Sequence, residues 1–205
     1  MMTFQSERLE DYLAASAVID YHCGAIQTLA AEISAANPNE TDRARAAFHY
    51  VRDRIPHTFD AGRQESTCAA SEVLALGHGT CYAKSHLLAA ILRAMGIPAG
   101  FGYQLLVMDD DEPETRLVLH GFNAVCLSEA QRWIRLDARG NKPGVEAQFD
   151  LAQETLAFPV REQLGERMFQ TIHAQPLAAV VDTLTGSRDA EELRLNLPGA
   201  QAGLL

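Results

Sequence analysis

Cysteine, histidine and aspartate are the side chains that thiol-based acyl transfer combines. This chain offers one of each at Cys81, His120 and Asp137, with gaps of 39 and 17 residues. In that chemistry a thiolate attacks, an imidazole carries the proton, and a carboxylate fixes the ring's tautomer. Each residue also has a purely structural reading. Cys81 can be one more small buried residue beside Ala83 and Ala90. His120 can be a strand residue satisfied by backbone, and Asp137 can start a turn or pair with Arg139. Histidine and cysteine also ligate zinc. His78 and Cys81 lie two residues apart, His86 follows, and His22-Cys23 and His57 lie elsewhere. A structural zinc site wants two close ligand pairs, and ligation would silence the thiolate, so no metal or cofactor is assigned.

The element that must present Cys81 runs from Gly77 to Pro98. Gly77 and Gly79 permit backbone angles closed to other residues. Thr80 is a good N-cap, so a helix is expected over about 81–95. Leu87, Ile91 and Met95, with Leu88 and Leu92 beside them, give it a broad apolar face, and Gly96 and Pro98 stop it. Cys81 then occupies the first helical position, where the positive end of the helix favours thiolate and backbone N–H groups face a developing oxyanion.

His120 and Asp137 belong to a different kind of segment. Residues 99–108, 116–127 and 132–137 read as three strands of an antiparallel meander. Val118, His120, Phe122, Ala124 and Cys126 share one face of the second strand, and Trp133, Arg135 and Asp137 share one face of the third. A turn centred near 129–130 makes paired residue numbers sum to about 259, which sets His120 and Asp137 as diagonal neighbours. The acidic run 109–114 reads as a solvated hairpin tip, without the glycine and distal glutamate of a calcium loop. Ahead of the strands, helices are expected over 22–36, from Thr41 to Pro56, and over a short stretch from Ser71 to Leu76, with 57–68 a loop. Asp20 is a candidate cap for the first of them. A helix near 176–185 follows, and 198–205 is a loose end. Helices first and antiparallel strands after define an α+β fold, and no repeat or linker divides the 205 residues into more than one domain.

Composition bounds the partners. Hydrophobic content of 47% with 21% charged residues is that of a globular protein with a real core. A net charge of -10 argues against nucleic acid or an anionic membrane as partner. Four cysteines, Cys23, Cys68, Cys81 and Cys126, are too few for a disulfide scaffold and suit a reducing compartment. Glu7, Arg8, Glu10 and Asp11 stand where a signal peptide needs an apolar core. No apolar run reaches membrane-spanning length. A soluble cytoplasmic protein is therefore expected, its oligomeric state unassigned.

Three segments together resemble the transglutaminase-like superfamily. Gly79-Thr80-Cys81 with Ala83, Leu87, Leu88, Ala90, Leu92, Arg93 and Gly96-Ile97-Pro98-Ala99 is similar to its nucleophile segment. His120-Gly-Phe-Asn-Ala-Val resembles its His-Ala-Trp-x-x-Val segment, with Gly121 and Phe122 as departures, and Trp133-Ile-Arg-Leu-Asp137 its Trp-x-x-Leu-Asp segment. The resemblance spans about 40–140 and implies a papain-like core, with 151–205 as a C-terminal extension packed on it. It implies Cys81 as nucleophile, His120 as base and Asp137 as orienter in a cysteine protease or amidase acting on a peptide or protein amide. Hydrolysis is the favoured outcome. Protein-glutamine transamidation and a non-catalytic interaction module on the same fold are the alternatives. The chain lacks a calcium motif, the paired Cys-x-x-Cys zinc motifs of the related peptide glycanases, and the Arg-Gly-Gly-x-Cys opening of arylamine acetyltransferases. Gln64 is the candidate side chain for completing the oxyanion hole.

Overall fold

The structure, a computed structural model, describes residues 1–108 and 116–202. The acidic run 109–114, expected as a hairpin tip, and residues 203–205 of the expected loose end lie outside the described residues. In chain order the elements are β1 (Thr3–Phe4), a 3-10 turn at Leu9–Tyr12, α1 (Gly24–Ala36), α2 (Glu40–Arg54), α3 (Ala70–Leu76), α4 (Cys81–Ala94), β2 (Ala99–Val107), β3 (Leu117–Leu127), β4 (Arg132–Leu136), β5 (Arg167–Met168), β6 (Thr171–Ile172), α5 (Ala178–Gly186) and α6 (Ala190–Leu195). The fold is α+β. Strands β4, β3, β2 and β5 form an antiparallel sheet in that order, and β1 pairs β6 in a parallel two-stranded sheet.

Helix α4 is the centre. Every residue from Tyr82 to Arg93 is buried, so the helix is enclosed on all sides rather than along one apolar stripe. Its polar side chains are therefore tied to backbone. Lys84 Nζ donates to the carbonyls of Ile55 and Arg139, the latter at 2.8 Å. Ser85 Oγ donates to Cys81 O at 2.8 Å. His86 is 1% exposed and bonds Cys68 O through Nδ1 at 2.8 Å. The Arg93 guanidinium donates to Ala14, Ala99 and Ala174 carbonyls.

Two caps differ from expectation for the same reason, a better-placed acceptor nearby. Helix α2 starts on Asn39, whose Oδ1 accepts from Asp42 N at 2.8 Å, rather than on Thr41. Ser71 lies inside α3, where Asp20 Oδ1 accepts its N–H at 3.0 Å. Asp20 thus serves α3 rather than α1. Glu72 reaches back to the N–H groups of Cys68 and Ala69 at 3.0 and 3.1 Å.

The β3–β4 register follows the expected rule: the five pairs from Asn123↔Leu136 to Leu127↔Arg132 all sum to 259. Trp133 does not enter the main core. It packs with Phe4 and Tyr12, at ring distances of 4.9 and 5.0 Å. Val180 and Leu184 of α5 and Leu193 of α6 join the same core as α4. No helix among the described residues is long and apolar enough to cross a membrane.

Candidate active site

The loop before α4 sets where Cys81 sits. Gly77 ends α3 in the left-handed region, at φ 73°, with its N–H on Val73 O at 2.9 Å. Gly79 has no such angle; it is needed for space. A Cβ there would lie 3.1 Å from Ala83 Cβ and 3.3 Å from Lys84 N. On its other side the chain around Pro56–Thr58 runs alongside. Gly79 N donates to Pro56 O at 3.3 Å, Thr58 N donates to Gly79 O at 3.1 Å, and His57 bridges Gly79 in parallel.

Thr80 holds the N-cap position in extended conformation, yet its hydroxyl makes no cap hydrogen bond. Its Oγ1 is buried without a partner among the described residues. Such a cap would stabilise the helix by about 1 kcal/mol. Its absence leaves the first-turn N–H groups beside Cys81 without a side-chain acceptor.

His120 lies on β3 and Asp137 one residue beyond β4. Extending the register puts Asp137 opposite Phe122, so the two are diagonal neighbours, and His120 Nε2 meets Asp137 Oδ2 at 2.7 Å. The carboxylate is wholly buried and fully used. Oδ2 also accepts from Ala157 N at 3.0 Å, and Oδ1 from Arg139 N at 3.1 Å. The turn reading of Asp137 therefore holds for the backbone of Arg139, while the Arg139 guanidinium pairs with Asp60 at 2.6 Å. Burial is the largest influence on Asp137 and raises its pKa. The His120 charge and hydrogen bond and the two N–H groups together outweigh it and hold the carboxyl below its ordinary value. His120 follows the same logic. Burial, again largest, disfavours the imidazolium, but Asp137 and Cys81, each through charge and a hydrogen bond, push it up to about 10.

Cys81 and His120 open into one cleft of about 660 Å³, also lined by His57, Thr80, Arg139 and Phe158. Phe158 stands edge-on to His120 at 5.0 Å between ring centres. Gln64 does not line this cleft. Its side chain is exposed, and its carbonyl accepts Ala190 N at 2.7 Å. His78 bonds Thr58 Oγ1 through Nδ1 at 3.1 Å and approaches Glu65 through Nε2 at 3.5 Å. Among the described residues no three His, Cys, Asp or Glu side chains are grouped to hold a metal ion. Phe158 escaped sequence reasoning, and His57 entered it only among the zinc-ligand types: neither has a period or a partner motif that marks it for this cleft.

The two family departures have a packing cause. A Cβ on Gly121 would lie 2.8 Å from Tyr82 Cδ1. Tyr82 is fixed there by its hydroxyl on Leu119 O. The Phe122 ring lies over Gly102, its cross-strand partner, where a Cβ would collide with it.

An α+β fold whose central helix begins on a cysteine beside a histidine-bearing antiparallel sheet is the architecture of the papain-like cysteine enzymes. The chain belongs to the transglutaminase-like superfamily, whose model matches residues 27–138. Its fold is similar to that of a candidate cysteine protease from Cytophaga hutchinsonii, with TM-score 0.52 and 19% identity over 65% of this chain and 43% of that one. The periplasmic domain of TgpA from Pseudomonas aeruginosa aligns with TM-score 0.44 and 20% identity, over 56% of this chain and 43% of that chain. A candidate protease from Parabacteroides distasonis aligns with TM-score 0.40 and 13% identity, over 74% of this chain and 30% of that one. The match thus spans less than half the length of each of these structures. No curated protein matches.

Proposed function

We propose that this protein is a cysteine-dependent acyl-transfer enzyme that hydrolyses an amide bond in a peptide or protein. The observation that supports this most is the shared imidazole. His120 is held by Asp137 on Nε2 at 2.7 Å, and its ring opens with Cys81 into one cleft. Cys81 Sγ attacks the amide carbon, and the carbonyl π electrons move to oxygen. As the tetrahedral species collapses, the C–N bond breaks and the His120 imidazolium gives its proton to the leaving amine. Water then attacks the remaining thioester, His120 takes its proton, and collapse of the second tetrahedral species breaks the C–S bond, freeing the acid and the Cys81 sulfur. Asp137 keeps the ring oriented and offsets the imidazolium charge throughout. The cleft is of the size that holds a short segment of substrate. Four unpaired thiols suit a reducing compartment, so we place the enzyme in the cytoplasm.

The test uses a glutamine- and peptide-amide library with a labelled primary amine present. Release of free acid without label, abolished in Cys81→Ala, is the expected result. Label incorporation that disappears in Cys81→Ala would instead make the reaction transamidation. No Cys81-dependent product of either kind would favour a non-catalytic interaction module.

A further inference from the structure

We propose that His57 is a catalytic residue that donates a hydrogen bond to the oxyanion formed when Cys81 attacks its substrate. The proposal rests on the reading of Cys81 as nucleophile and supplies the side chain that Gln64 does not. Four observations carry it.

His57 lines the cleft together with Cys81, Thr80 and His120. Its backbone pairs with Gly79, two residues before Cys81, so its chain runs about 4.8 Å from the one that enters the helix. The residue is only 9% exposed, and its Nδ1 is buried with no hydrogen-bond partner among the described residues. Nδ1 is sealed from the cleft, whereas Nε2 is neither among the buried unpartnered atoms nor bonded to another described residue, so Nε2 is the ring nitrogen that an entering substrate can meet. His173 Nε2 is the other buried, unpartnered histidine atom among the described residues, but His173 does not line the cleft. Finally, the uncapped first turn of α4 supplies only backbone donors. An oxyanion hole of the usual kind needs a second donor from the flank, and His57 is on that flank.

The protonation state suits the role. Burial, aided by the Arg139 charge, pushes His57 down to about 3, so the ring is neutral at physiological pH. A neutral imidazole keeps one N–H to donate. It has no acidic proton to surrender to the Cys81 sulfur. In the attack the S–C bond forms and the carbonyl oxygen becomes anionic, accepting from Cys81 N–H and from the His57 ring. No proton leaves His57. Collapse re-forms the carbonyl and releases both contacts.

The experiment separates a reaction that builds an oxyanion from one that does not. Acetylation of Cys81 by p-nitrophenyl acetate passes through a tetrahedral oxyanion. Alkylation by iodoacetamide is a direct displacement and needs only the thiolate. Both are followed on the full chain by intact mass and peptide mapping. His57→Ala and His57→Phe are expected to slow acetylation by about 10²–10³-fold while alkylation stays within about twofold. His57→Asn and His57→Gln place an amide N–H near the Nδ1 and Nε2 positions respectively, and one of them is expected to recover at least about tenfold. Unchanged acetylation in His57→Ala, a parallel fall in both reactions, or recovery by neither amide would overturn the proposal. If the wild-type Cys81 itself reacts with neither reagent, the nucleophile reading fails, and that result is distinct from any of these.

Discussion

Asp137→Asn is the most informative single change, because the structure fixes what it removes. The three contacts to this carboxylate all come from donors: His120 Nε2 and Ala157 N on Oδ2, and Arg139 N on Oδ1. An asparagine has one acceptor oxygen. Its better orientation keeps that oxygen on His120 and Ala157 and turns the NH₂ against the Arg139 N–H, leaving two donors face to face. Losing one charge-assisted bond in a wholly buried site is expected to destabilise the fold by about 2–4 kcal/mol. The effect on reactivity is separable. Asp137 leads the influences that raise His120 to about 10 against the opposing effect of burial. Without the carboxylate charge, burial favours the neutral ring, and the imidazolium that would stand beside the Cys81 sulfur is lost. Iodoacetamide alkylation of Cys81 is expected to fall by about 10²-fold near pH 6 and to approach the wild-type rate above about pH 10, where the wild-type His120 ring is neutral as well. The assay is the alkylation rate across that pH range, with urea unfolding in parallel. Equal rates near pH 6, or a uniform loss at every pH, would refute the reasoning.

Stability should carry the same signature. His120 is raised in the folded state, so its contribution is full below about pH 6.5 and is lost as pH rises toward 10. Asp137 is lowered, so its contribution is present above its ordinary range and lost on acidification. The stability gap between wild type and Asp137→Asn, read from denaturant melts, should therefore narrow on both sides. Among the cysteines, Cys81 should be labelled first by brief iodoacetamide treatment and Cys68 last, since burial, with Glu72 adding to it, pushes Cys68 up to about 12; mass mapping decides. Lys84→Ala leaves the Ile55 and Arg139 carbonyls unsatisfied in a fully buried position and should destabilise the fold by at least about 3 kcal/mol in chemical denaturation. Gly121→Ala restores the residue the family usually has, yet it should destabilise by about 1–3 kcal/mol because Tyr82 must move; a melting temperature at or above wild type would contradict this.

What could be read from the sequence follows the reach of the physical signal. The β3–β4 register was legible because a single turn position and a two-residue side-chain period set every pair, and that register carries His120 to Asp137. The span of α4 was legible from its apolar spacing and its glycine stop. Its complete enclosure was not, because Lys84, Ser85, His86 and Arg93 read as surface residues until their backbone acceptors, 4 to 81 positions away, are in place. Thr80 and Gly79 show the limit at the site itself. The types were right for a cap and a left-handed turn, but Thr80 leaves the helix end open and Gly79 serves as clearance. The two-residue strands β5 and β6 are too short to show any period. His57 carries no local signal, since its place beside Gly79 is created by a loop pairing.

The contacts of Arg93 bear on the order in which the chain can mature during synthesis. Its guanidinium sits 3% exposed among carbonyls from Ala14, 79 residues earlier, and Ala174, 81 residues later. A nascent chain that has just released α4 holds the first of these acceptors and not the last. Ala99 O follows within a few residues, but burying the guanidinium before Ala174 would leave one of its charge-assisted bonds unmade in a dry site, which costs more than leaving it wet. The central helix should thus stay loosely docked on the ribosome until Ala174 has emerged, and then lock in a single late event that joins segments 160 residues apart.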